Sequence, residues 1–388
     1  MPARESNPLG DLQLPPAGLA PGDLQLPTAS LPPGDLQLPP VGLAPGVYIF
    51  QIIRKSSIMN KQKQMKVDGI IPIIPTPFDE SEQVDWSALR ALLDFACSID
   101  VSAVCLPAYA SEFYKLSDAE RRLLIETAVE QVDGRLPVIA QANSVSAVHA
   151  LDMARFAQNA GASAVAVAVP RMFAVGEQDL LRYFGHILSG IDVPLLLQDI
   201  NPTGPTVSVG FIADLHKMYP HFRWVKLEEP MMASRVASIV EATSGEVGVL
   251  EGWGGMYLLE LASAGICGVM PGLGPADLLA RVYRLMKIGR KQEAYNIFQG
   301  VLPQILFSLQ NMELYHHAEK RLLVARGIIG ESVVRDLRLT VNPLDAEHID
   351  FLNANVLALL DRLNMPRCLP QARAVAVAEA EGLQLSKA

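Results

Sequence analysis

Between Gly69 and Leu363, short apolar runs alternate with amphipathic segments of 10 to 15 residues, and this rhythm limits the fold more than any other feature. The runs are Ile70–Pro75, Ala103–Pro107, Val138–Gln141, Ala164–Val169, Pro194–Asp199, Trp224–Glu228, Val247–Glu251 and Ile266–Met270. They are nearly continuous in Val, Ile, Leu and Ala, as strands buried on both faces must be. Eight such strands separated by helices predict a parallel sheet closed into a (β/α)8 TIM barrel. The punctuation agrees. Ser117-Asp-Ala-Glu120 reads as a capping box opening a helix through Leu123, Leu124, Ala128 and Val132. Gly161 and Gly265 fall where helices must turn back into strands. Residues 276–363 hold more helix than one barrel unit uses, so a C-terminal helical appendage is expected. The predicted organisation is a repeat extension and linker over 1–64, the barrel over 65–275, C-terminal helices over 276–363 and a flexible tail over 364–388.

The first 46 residues are of another kind. The hexamer GDLQLP recurs at Gly10, Gly22 and Gly34, and a proline in every unit prevents a sustained helix or sheet ladder. Disorder is the expectation there. The segment lacks the basic start and single apolar block of a signal peptide, and Met59 and Met65 just before the first strand suggest an upstream extension. Half the residues are hydrophobic, enough for a large core. A net charge of -9, from 41 acidic against 32 basic residues, argues against a nucleic-acid partner. No uninterrupted apolar run reaches the roughly 18 residues of a membrane span. Cys97, Cys105, Cys267 and Cys368 show neither CxxC nor regular spacing and read as reduced thiols of a cytoplasmic protein, without a metal framework. The adjacent His316 and His317 read as solvated surface rather than as a metal site.

In a barrel of this kind chemistry gathers at the C-terminal strand ends, where a polar residue inside an apolar strand is informative because its burial is costly. The sixth strand, Trp224-Val-Lys-Leu-Glu-Glu229, carries the strongest signal. Alternation puts Lys226 and Glu228 on one face and the apolar pair Val225 and Leu227 on the other, which suits the helix layer. Lys226 and Glu228 therefore point into the barrel. Burial favours the neutral amine, the form that attacks a carbonyl. The competing reading is a structural lysine–glutamate ion pair. The fifth strand ends in Gln198 and Asp199; Asp199 faces the substrate or else caps the loop Ile200–Pro205. The second strand delivers Pro107-Ala-Tyr-Ala-Ser-Glu112, where small residues let backbone N–H groups face an anion, while Glu112 caps or pairs structurally. The seventh strand leads into Glu251-Gly-Trp-Gly-Gly255, which sets Trp253 beside the mouth.

These segments resemble the dihydrodipicolinate synthase/N-acetylneuraminate lyase family. Gly69-Ile-Ile-Pro-Ile-Ile-Pro-Thr-Pro-Phe78 looks like its opening strand, Ala108-Tyr-Ala-Ser-Glu112 stands where its carboxylate-binding loop would be, and Val225-Lys226 matches the strand bearing its Schiff-base lysine. The resemblance implies a lysine Schiff-base lyase with no metal or organic cofactor, a 2-keto acid substrate and a homotetramer. Several positions depart from the pattern. Gln198 replaces a proton-relaying tyrosine of the fifth strand, Tyr109 and Ala110 replace two threonines, Thr203 replaces an arginine, and Met172, beside Phe173, replaces another tyrosine. Glutamine cannot relay a proton by ionising. The set Gln198, Lys226 and Glu228 is instead similar to members that dehydrate 2-keto-3-deoxy sugar acids such as L-2-keto-3-deoxyarabonate.

What this likeness implies is a division of labour. Lys226, Glu228 and Gln198 would be catalytic; Tyr109, Ala110, Ser111, Asp199 and Trp253 would hold substrate; no metal would be bound. The expected reaction is dehydration to a 2-oxo acid semialdehyde, a step of carbohydrate acid metabolism. Two alternatives stand beside it: a retro-aldolase that releases pyruvate, and a non-catalytic paralogue that keeps a ligand pocket.

Overall fold

The computed structural model describes Met65 and residues 67–172, 174–201 and 206–368. The GDLQLP repeats, Phe173, Thr203 and residues 369–388, and the expectations placed on them, lie outside the described residues.

Eight parallel strands alternate with helices. In chain order they are β1 (Gly69–Ile70), α1 (Trp86–Ser98), β2 (Val104–Leu106), α2 (Asp118–Val132), β3 (Val138–Gln141), α3 (Ala147–Ala160), β4 (Ala164–Ala168), α4 (Glu177–Leu188), β5 (Leu195–Ile200), α5 (Val209–Met218), β6 (Phe222–Glu228), α6 (Met232–Ala242), β7 (Gly248–Glu251), α7 (Leu258–Ala262) and β8 (Gly268–Val269). Four further helices follow: α8 (Ala276–Lys287), α9 (Lys291–Ser308), α10 (Met312–Ala325) and α11 (Pro343–Arg362). Each of the eight predicted runs overlaps a strand of a (β/α)8 barrel with C-terminal helices, although β1 and β8 are two residues each and Ile71–Pro75 lies beyond β1.

Ladders run from β2 through β8 to β1. The barrel closes between β1 and β2 by single contacts: an Ile73–Cys105 bridge, with Ile74 N donating to Cys105 O (3.0 Å) and Cys105 N to Pro72 O (3.0 Å). Two residues before Ile74, Pro72 has no N–H to offer on that side, so the seam is a bridge and not a ladder. The capping box is present, with Ser117 Oγ accepting from Glu120 N and Glu120 Oε2 accepting from Ser117 N at 2.8 Å. Leu124, Ala128 and Val132 of α2 are buried, whereas Leu123 is turned outward. Gly161 adopts φ +105° as α3 ends, a conformation that suits glycine.

Two apolar layers result. The larger lies between strands and helices and includes Leu195, Leu197, Val225 and Leu227. The smaller fills the barrel interior with Ile71, Ile73, Cys105, Ile139, Ala164, Ala166, Leu196, Trp224, Leu250 and Met270. Leu196 and Trp224 pair across β5 and β6, and two residues on, so do Gln198 and Lys226. Period-2 alternation therefore sets the two polar residues directly above the apolar interior, at the mouth.

Candidate active site

At the mouth, Lys226 Nζ lies 2.6 Å from Glu228 Oε1. Gln198 Nε2 donates to the same oxygen at 3.0 Å. Gln198 Oε1 in turn accepts from Gln141 Nε2, which also donates to Asn143 Oδ1 at 3.2 Å. Asn143 Oδ1 is fixed by Ala168 N at 2.8 Å. The chain of contacts crosses four consecutive strand ends and aims the Gln198 amide at the carboxylate. All of these side chains are buried, Lys226 at 6% and Glu228 at 3% exposure. One atom stands apart: Glu228 Oε2 is buried without a hydrogen-bond partner among the described residues. A buried acceptor left unpaired is uncommon and destabilising.

The pocket above this group is lined by Tyr109, Ala110, Gln198, Lys226, Glu228 and Trp253, together with Gly252, Gly272 and, from the C-terminal layer, Leu309, Met312 and Tyr315. Gly252 packs so closely that a Cβ there would lie 2.3 Å from Glu228 Cγ; its bare backbone is the wall against which the glutamate rests. Tyr109 stacks edge-on with Phe113 (ring centroids 4.9 Å apart), and burial, then the nearby Glu228 charge, pushes its phenol up. Below the mouth, Glu251 is buried and pushed up to about 7 by desolvation, which outweighs its acceptance from Gly255 N (2.8 Å) and the pull of Lys226. Cys105 is likewise pushed up to about 12 by burial, so its thiol stays protonated.

Of the residues expected at the site, Lys226, Glu228, Gln198, Tyr109, Ala110 and Trp253 come together around this pocket. Asp199 and Ser111 do not. Asp199 faces the helix layer beside Leu197, where Arg171 Nε (2.6 Å) and Nη2 (2.7 Å) hold its two oxygens and Val207 N donates at 2.6 Å. It ties down the following loop, and its expected place against substrate is corrected accordingly. Ser111 donates its hydroxyl to Ile74 O (2.6 Å) and its N–H to Ala108 O (2.9 Å), so both groups are engaged within the turn. The N–H groups of Tyr109 and Ala110 have no intramolecular partner among the described residues and stay available to a ligand. Met172 is 67% exposed and does not line the pocket.

Next to this loop is a second buried cluster. Glu112, in the left-handed region at φ 59°, receives Lys320 Nζ at 2.5 Å and Lys115 Nζ at 3.0 Å. Lys320 also donates to Val333 O (2.8 Å) and lies over the Phe78 ring at 4.5 Å; Lys115 donates to Arg335 O (2.9 Å) and reaches Glu313 (2.6 Å). Burial pushes Lys320 down to about 8, against the opposing pull of Glu112. Here the expected surface position of His316 is overturned. It is buried at 1% exposure with Nε2 2.9 Å from Tyr114 Oη, and burial followed by the Lys320 charge pushes it down to about 3. His317 is half-buried against Leu339 O.

Sequence reasoning missed Gln141 and the pocket residues of α10. Gln141 carries the same mark as Gln198, an amide ending an apolar strand. Tyr315 lies 89 positions beyond Lys226 on a helix outside the barrel, and strand periodicity holds no signal for it. Among the described residues no helix is long and apolar enough to cross a membrane, and no His, Cys, Asp and Glu cluster could hold a metal ion.

The family model for the dihydrodipicolinate synthetase family matches residues 66–357. L-2-keto-3-deoxyarabonate dehydratase of Azospirillum brasilense is 26% identical over 300 residues, 76% of this chain and 94% of that protein. 4-Hydroxy-tetrahydrodipicolinate synthase of Methanopyrus kandleri is 28% identical over 242 residues, 61% of this chain and 80% of that protein. The solved 4-hydroxy-tetrahydrodipicolinate synthase of Methylacidiphilum fumariolicum SolV superposes with a TM-score of 0.71 at 22% identity, covering 77% of this chain and 99% of that one, a likeness of fold. With well over half its length inside the family model, the chain belongs to the dihydrodipicolinate synthetase family and is a lyase of that family.

Proposed function

We propose that this protein forms a Schiff base between Lys226 and a 2-keto-3-deoxy sugar acid and dehydrates it. The observation that carries the reading is the shared Glu228 Oε1, held by Lys226 at 2.6 Å and Gln198 at 3.0 Å, while Glu228 Oε2 stays unpartnered beside the pocket. The amine adds to the C2 ketone, water leaves, and the iminium acidifies the C3 proton. Glu228 takes that proton, and the electron pair so released expels the C4 hydroxyl, which Glu228 protonates as it departs as water. Isomerisation and hydrolysis of the adduct release a 2-oxo acid semialdehyde and restore Lys226. Gln198 keeps Glu228 aimed at C3 and C4. Trp253 and the N–H groups of Tyr109 and Ala110 hold the substrate.

Borohydride added with the 2-keto acid tests the first half of this reading, since it should add the reduced ligand's mass to Lys226. Product identification from C5 and C6 2-keto-3-deoxy acids tests the second: a semialdehyde supports dehydration, and pyruvate supports retro-aldol cleavage. The second reading has one observation in its favour, the Tyr109 phenol close enough to feel the Glu228 charge. Absence of both products would favour a ligand-binding role without turnover.

The broader setting belongs to the same proposal: a homotetramer in the cytoplasm. Phe351 (61%) and Leu344 (77%) on α11 are large exposed hydrophobics that a partner subunit would cover. A monomer by light scattering at micromolar concentration would remove the tetramer.

A further inference from the structure

The proposed reaction uses Lys226 and Glu228 but assigns no residue of the C-terminal helices, although α10 helps to wall the pocket. Tyr315 is the polar member of that wall. It is 7% exposed, and its hydroxyl has no hydrogen-bond partner among the described residues. The hydroxyl rests against Gly272, where a Cβ would lie 2.5 Å from Tyr315 Oη and 2.5 Å from Glu319 Oε2. Only a glycine leaves room for the phenol there. No hydrogen bond joins Tyr315 to Glu319, whose other oxygen accepts from Gly274 N at 2.6 Å. Burial, then the Glu319 charge, holds the phenol well above its usual range, so it remains an O–H donor.

A 2-keto acid brings a carboxylate into a pocket whose one lining cation, among the described residues, is Lys226, and that amine is consumed by the ketone. Glu228 repels a second carboxylate on its own side. The ligand's anion must therefore lie away from Glu228, towards donors that no other group uses. Those donors are the N–H groups of Tyr109 and Ala110 in the turn after β2 and the O–H of Tyr315 on α10, which packs against that turn. We propose that the Tyr315 hydroxyl binds the carboxylate of the 2-keto acid together with these two N–H groups. Tyr315 is then a specificity-determining residue supplied from outside the barrel, an inference that rests on the Schiff-base reading of Lys226.

Borohydride trapping of pyruvate on the full-length protein separates the two claims. In Tyr315→Phe the pyruvate concentration for half-maximal trapping should rise about 10- to 100-fold, as expected for losing a hydrogen bond to a charged group, with the maximal extent unchanged. Pyruvamide, which keeps the ketone and lacks the negative charge, should trap with nearly the same half-saturation in both proteins. Gly272→Ala, which displaces the phenol without removing it, should reproduce this carboxylate-selective loss. Half-saturation by pyruvate within twofold of the unaltered protein in both variants, or an equal loss for pyruvate and pyruvamide, would overturn the assignment of Tyr315 alone. Absence of any trapping in the unaltered protein would remove the Schiff-base reading and this inference with it.

Discussion

Two buried lysine–carboxylate clusters lie side by side in this barrel, and their chemistry is alike until the hydrogen bonds are counted. Around Glu112, both carboxylate oxygens are occupied by lysines, and each lysine is also bound to a backbone carbonyl. Around Glu228, one oxygen carries both Lys226 and Gln198 while the other is unpartnered. The first arrangement is closed. It joins the turn after β2 to α10 and to the segment around Val333–Arg335, holding the C-terminal layer on the barrel. The second is open towards a pocket, with hydrogen-bonding capacity left over for something that arrives. Burial and pairing alone do not separate a clamp from a candidate site; incomplete satisfaction beside a cavity is what makes the second cluster the candidate.

The largest expected contrast comes from removing each lysine in turn. Lys226→Ala should abolish borohydride trapping and turnover in the protein that folds. Lys320→Ala should keep trapping in the protein that folds and lower its thermal midpoint. Equal loss of trapping in both variants would erase the distinction. Next, Glu228→Gln should still form the trappable imine but lose turnover by about 10²- to 10⁴-fold, the usual contribution of a positioned proton-transfer group. Near-normal dehydration in that variant would sink the mechanism while sparing Lys226. Its counterpart, Glu112→Gln, leaves two lysines facing a neutral amide and should cost about 3–5 kcal/mol of stability in urea titration.

A smaller effect is expected at the wall behind Glu228. Gly252→Ala puts a methyl group where the glutamate's own chain lies, and turnover should fall by roughly 10-fold or more as the carboxylate is displaced. The smallest effect concerns pH. His316 is pushed down to about 3 in the fold from an unfolded value near 6.5, so the unfolded chain binds the extra proton between these limits. Stability from this group is complete above about pH 6.5 and is lost as pH falls towards 3. The urea midpoint of a His316→Gln variant should depend less steeply on pH from 6.5 to 4 than that of the unaltered protein, and equal slopes would show that His316 titrates normally.

The open cluster was legible in the sequence, whereas of the closed one only the structural pairing of Glu112 was and not its partners, for a physical reason. Lys226, Glu228 and Gln198 lie on strands whose period of 2 separates an inward from an outward face within a few residues. Applied consistently, the same alternation places Asp199 on the helix side beside Leu197, where it is found; the attraction of a polar residue at a strand end outweighed it. Glu112, Lys115 and Lys320 are brought together across 208 positions, and no local pattern reports that. On α10 the buried face itself carries His316, Glu319 and Lys320. These polar residues flank an apolar stripe of Leu314, Ala318 and Leu322, and beside such a stripe His316 reads as surface. Ser111 could not be separated from Ala110 by residue type, since the difference lies in which N–H the turn uses.

That α10 both clamps the turn after β2 and walls the pocket has a consequence for how the protein is made. A nascent chain emerging at about 5–20 residues per second presents Lys226 and Glu228 roughly 5–20 s before Tyr315 leaves the ribosome. During that interval the barrel strands up to β8 can assemble while one wall of the pocket is still missing, and under the proposed Schiff-base reading the Lys226 amine would be open to any passing carbonyl compound. With Lys226 as the proposed nucleophile and Tyr315 as the proposed carboxylate donor, the order of translation would set chemical selectivity last.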